Sequence, residues 1–118
     1  MKKLAVLLVL MVFISCDDII DEVDISNHTV VLLAPTDSAV LTSTNVGFNW
    51  NAVDGASEYV IQIATPDFAN PLQIVADSTL TTTSFSTTLM ATTNYQWRVK
   101  AKNPNYETAF STRSLTTP

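Results

Sequence analysis

The chain has 118 residues, 47% of them hydrophobic, a formal net charge of −5 and a single cysteine. That length supports one folded domain, since domains cluster near about 100 to 150 residues, and one cysteine excludes an internal disulfide. Setting aside Lys2 and Lys3 in an N-terminal leader, four bases (Arg98, Lys100, Lys102 and Arg113) face eleven carboxylates. A nucleic-acid partner, which needs a basic face, is excluded.

Met1, Lys2 and Lys3 make a positive start, residues 4–14 (LAVLLVLMVFI) are unbroken apolar, and Ser15 and Cys16 end the run. This predicts a cleaved signal peptide over residues 1–15. The eleven apolar residues, helical at about 1.5 Å each, span roughly half the hydrocarbon core, so the segment targets rather than crosses. A small residue directly before the cysteine, with Phe13 and Ile14 ahead of it, resembles the lipobox of bacterial lipoproteins. The resemblance implies that Cys16 is diacylated and that the mature protein meets the membrane through that lipid. The alternative, an ordinary secretory signal, leaves a lone thiol in an oxidising compartment.

Residues 16–28 read as the lipidated Cys16 followed by a flexible, solvated tether, because DDIIDEVDISNH carries five acids and too few large apolar residues to build a core. An acidic run after a lipidated cysteine resembles the surface-export signal of lipoproteins in polysaccharide-scavenging Gram-negative bacteria. It implies a lipid-anchored outer-membrane protein exposed at the cell surface. Asp17 directly after the cysteine also resembles an inner-membrane retention signal, and a self-repelling soluble spacer has the same composition. The acids continue through Asp24, which favours export.

From Thr29 to Pro118 short β-rich runs alternate with turn residues, the pattern of an all-β sandwich of seven strands. Residues 29–33 (TVVLL) end at Pro35, which cannot donate to a ladder. Val46, Phe48 and Trp50 then alternate with Gly47 and Asn49, and after the Asp54-Gly55 turn Tyr59, Ile61 and Ile63 alternate likewise. Pro66, Asn70 and Pro71 break the chain before residues 72–76 (LQIVA). The Ser/Thr-rich stretch 78–88 around Phe85 favours extended chain and predicts a sheet edge. Tyr95, Trp97, Val99 and Ala101 alternate with Gln96, Arg98 and Lys100, and residues 109–116 (AFSTRSLT) supply the last strand.

Trp50, Tyr59 within Ala56-Ser57-Glu58-Tyr59-Val60-Ile61, Leu89 six residues before Tyr95, and the run Tyr95-Gln96-Trp97-Arg98-Val99-Lys100-Ala101 together resemble the fibronectin type III family. The resemblance covers about residues 29–117. It implies a tyrosine corner at Tyr95, with the N-terminus and the loops after the second and sixth strands at one end. Glycine is missing between Leu89 and Tyr95 and from the last hairpin, and no Arg-Gly-Asp triplet is present, so the integrin ligand of some animal relatives is not carried over. Trp50, Tyr59, Tyr95 and Trp97 are expected in the core by their alternation.

The inventory argues against an enzyme. His28 is the sole histidine and precedes the domain, Cys16 is committed to lipid, and Asp37, Asp54, Glu58, Asp67, Asp77 and Glu107 fall near turns. No cofactor, metal site or calcium loop is expected. Anchoring at Cys16 directs Asp54, Asn105 and Tyr106 toward the membrane, where another outer-membrane protein is the expected partner. Phe68, in the loop at the opposite end, either caps that loop or offers an outward binding position. Asp37-Ser38-Ala39 and Asp77-Ser78-Thr79 resemble a bacterial O-glycosylation triplet, making Ser38 and Ser78 candidate acceptors and glycan a candidate attachment. The function expected is a protein-interaction module, an accessory subunit of an outer-membrane assembly; the alternative is a carbohydrate-binding module of a polysaccharide-uptake system.

Overall fold

The structure, a computed structural model, describes residues 23–118; the leader and Cys16 lie outside the described residues. Eight strands and no helix make up the described fold: β1 (Leu32–Ala34), β2 (Ala39–Val40), β3 (Asn45–Trp50), β4 (Glu58–Thr65), β5 (Gln73–Leu80), β6 (Ser84–Thr88), β7 (Asn94–Lys102) and β8 (Ser111–Thr116). They form a three-stranded sheet, β1-β3-β6, packed on a five-stranded sheet, β2-β8-β7-β4-β5.

Alternation decides which side chains meet between the sheets. Val46, Phe48 and Trp50 of β3 face Tyr59, Ile61 and Ile63 of β4 and Tyr95, Trp97, Val99 and Ala101 of β7, all buried in one core. Trp97 is fully buried and meets Phe48 edge-on, with ring centroids 4.9 Å apart. Trp50 tilts against Tyr59 at 6.0 Å. Neither indole N–H of Trp50 or Trp97 finds an acceptor, so both tryptophans contribute as apolar bulk rather than as donors. The four aromatic residues expected inside are inside.

The expected tyrosine corner is present, with the Met90 amide donating to the Tyr95 hydroxyl at 2.9 Å. The Val53 amide likewise donates to the Tyr59 hydroxyl at 3.0 Å. Each tyrosine thus buries its ring and spends its polar tip on a backbone donor that would otherwise be unpaired.

Four boundaries differ from the sequence-based expectation. The count is eight strands rather than seven, because Ala39–Val40 pairs in parallel with β8. The Asp37 carboxylate and the Ser38 amide both bond the backbone of Ser114, which holds that short segment on β8. The first strand begins at Leu32 rather than Thr29; Val30 is buried in irregular chain, and its carbonyl accepts from Ser111 Oγ. The stretch 78–88 is divided, since β5 continues to Leu80 and a bend at residues 81–83 precedes β6. Composition could not place that bend, because threonine suits both strand and turn. Finally, residues 23–28 are not all solvated tether. Ile25 is completely buried in the core, so the folded body begins upstream of Thr29.

Candidate interaction surfaces

Three segments distant in sequence converge at one end of the sandwich. Asn103, only 4% exposed, donates through Nδ2 to the Val23 carbonyl at 2.8 Å and the Gly55 carbonyl at 3.0 Å. Its Oδ1 accepts from the amides of Asn105 and Tyr106. One buried side chain thereby ties the N-terminal segment, the β3–β4 turn and the β7–β8 hairpin. Gly55 is needed there twice over: its φ is +87°, and a Cβ would lie 2.9 Å from Val23 Cβ and 3.0 Å from Ile25 Cγ2. Asp54 and Asn105 are exposed on this end, and Tyr106 is 38% exposed. The structure therefore brings three of the four candidate binding residues together.

The fourth, Phe68, is elsewhere. It does not stand out at the far end: the loop folds back, and the half-buried ring lies on the outer face of the five-stranded sheet. There the Phe68 amide donates to Gln96 Oε1 at 3.0 Å, and the ring lies over the Arg98 guanidinium at 4.0 Å. Phe110 lies against the same guanidinium at 4.2 Å. Arg98 Nε donates to Gln62 Oε1 at 2.9 Å on the neighbouring strand. Lys100, next along the same face, is 5.0 Å from the Phe110 centroid and pairs with Glu107 at 2.8 Å. The hydrogen bond and charge of Lys100 hold the Glu107 carboxyl below its ordinary range.

Sequence reading treated Arg98 as generic outward polarity and missed this cluster. The available signal was two phenylalanines, Phe68 and Phe110, that fall outside any alternating core set on either side of a Gln-x-Arg-x-Lys row. The role of Asn103 had a signal too, since Asn at the head of Asn103-Pro104-Asn105 is the residue type that bonds backbone amides two positions on.

The two candidate glycosylation residues sit differently. Ser38 is exposed, in a left-handed conformation with φ 62°. Ser78 is half-buried and cross-strand to Ile61, hence on the inward-turned face of β5. Among the described residues no group of three or more His, Cys, Asp or Glu side chains is gathered as metal ligands would be.

No protein-family profile and no curated protein matches the chain. Solved structures do. An Fn3-like protein from Clostridium thermocellum shares 26% identity over 70% of this chain and 88% of its own, with a TM-score of 0.53. The fn3 domain of the human collagen alpha-1(XX) chain matches at 16% identity over 74% of this chain and 83% of its own, with a TM-score of 0.57.

Proposed function

We propose that this fibronectin type III-like β-sandwich is the body of a lipoprotein anchored through Cys16, acting as a protein-interaction module docked on an outer-membrane assembly. The Asn103 junction carries the reading. It ties the segment nearest the anchor to the two loops bearing Asp54, Asn105 and Tyr106. From Cys16 to Val23 the chain cannot stretch beyond about 25 Å even when fully extended. An anchor at Cys16 would therefore keep that end within reach of neighbours in the same membrane, and the buried Ile25 leaves less slack than a tether running to His28. The carbohydrate alternative has weaker support, since the Phe68 face turned to Arg98 is unavailable for stacking on a sugar.

The test places a photo-crosslinking residue at Tyr106 and, as the opposite-end control, at Met90 in the full chain in its native membrane. A discrete product from position 106, lost in Cys16→Ala, is expected. Products from position 90 alone, or from neither position, would overturn the reading.

A further inference from the structure

The geometry points to the outer face of the five-stranded sheet, centred on Arg98, as a docking surface for a protein partner that presents carboxylate side chains. The inference rests on the interaction-module reading and adds to it the partner's chemistry and a second, lateral surface.

The argument begins with how Arg98 is held. Most surface arginines sample many rotamers, and fixing one costs free energy on binding. Here that cost is met in advance: the guanidinium lies between the Phe68 and Phe110 rings at 4.0 and 4.2 Å, and Nε is committed to Gln62. The terminal nitrogens remain. Among the described residues they have no hydrogen-bond acceptor and no carboxylate within salt-bridge distance, the one ion pair being Lys100 with Glu107. A planar donor fork with its stem fixed and its end unfilled matches the two oxygens of a carboxylate.

The surroundings favour a protein over other sources of carboxylate. Arg98, Lys100 and Lys102 occupy alternate positions on the same face of β7, whereas the fourth base, Arg113, turns inward and donates to the Leu33 and Pro35 carbonyls. Every outward base of the domain is thus in one row; Glu107 neutralises Lys100, and the unpaired charge of Arg98 is what a partner carboxylate would complement. Acids are near the row, Asp77 cross-strand to Gln62 and Glu58 cross-strand to Lys102, but neither pairs with Arg98. Beside the row, Leu72 is 87% and Ile74 49% exposed; Ile74 shares the outer face through its pairing with Ala64. Arginine and aromatic anchors beside exposed aliphatic side chains are the composition of protein interfaces. A uronic-acid polysaccharide would also offer carboxylates, but it gains most from open aromatic faces, and the two rings here hold Arg98.

The test titrates the 15N-labelled mature chain with an acetylated glutamate-rich peptide, following the Arg98 Nε–Hε resonance, with polygalacturonate fragments of matched charge as the second arm. Peptide-induced shifts at Arg98, Lys100 and Ile74 are expected. Affinity should fall about tenfold in Arg98→Lys, which keeps the charge and loses the fork. Retention of the amide spectrum in that variant checks the fold. Absence of shifts, equal affinity in Arg98→Lys, or response to polygalacturonate without response to peptide would each overturn the inference. Failure here with crosslinking at Tyr106 intact would leave the anchored-module reading standing. The converse result would remove the anchored end and leave Arg98.

Discussion

The two faces of β7 hold their side chains by different physics. On the inner face Tyr95, Trp97, Val99 and Ala101 are buried by the opposing sheet, and their positions follow from close packing. On the outer face Gln96, Arg98 and Lys100 are half-buried and are fixed instead by one amide, two phenyl rings and one carboxylate. The inner face carries the close packing and tolerates little change. The outer face, fixed by a few polar and ring contacts, is expected to accept substitution with the fold intact.

The strongest challenge to the inner face is Trp97→Ala, which should cost about 3 to 5 kcal/mol by deleting a fully buried indole and its edge contact with Phe48. Trp97→Phe should cost distinctly less, because the indole N–H it removes has no acceptor; urea melts of the two variants read the difference. Next is Asn103→Ala, which strands the Val23 and Gly55 carbonyls and should cost about 2 to 3 kcal/mol. Amide hydrogen exchange should speed up first at Ile25, Asn105 and Tyr106, while the β4–β7 ladder stays protected. Uniform acceleration would mean that the junction is not a local latch.

A smaller effect is expected from Tyr95→Phe, which keeps the buried ring and removes only the bond from the Met90 amide. A loss of about 1 kcal/mol by chemical denaturation would fit a single hydrogen bond. The smallest concerns Glu107→Gln on the outer face. The folded carboxyl is lowered by Lys100, so its contribution is present above the ordinary carboxylate range and disappears as pH falls through the lowered value. Because the pair is exposed and screened, the variant should lie within about 0.5 kcal/mol of the parent at neutral pH. That gap should close on acidification. A larger or pH-independent gap would show that Glu107 supports the Phe110 side of the Arg98 cluster by packing rather than by charge.

Much of the fold was legible in advance because an inward-facing strand leaves a period of two in the sequence. Trp50, Tyr59, Tyr95 and Trp97 could be assigned to the core from alternation alone, while the corner that the Met90 amide closes was implied by the fibronectin type III resemblance carried by Leu89 and Tyr95. The candidate surfaces were legible only in part. Asp54, Asn105 and Tyr106 share an end as expected, whereas Phe68 does not face outward, since its loop returns to Gln96 on a strand 28 residues away. Ile25 was read as tether because an isolated isoleucine among acids has no periodicity, and only the space around Gly55 makes it core.

The sequence by itself therefore determined which strand faces turn inward, through residue alternation, that the body is an all-β sandwich, through β-rich runs broken by turn residues, and, through composition, where charge gathers along the chain. Alternation is a local property of the pleated backbone, so it survives without knowledge of neighbours. Tertiary structure alone decided that Asn103 joins three segments and that Phe68 and Phe110 close on Arg98. Those contacts depend on loop paths, whose course is set by long-range hydrogen bonds rather than by any repeating preference of the residues within them.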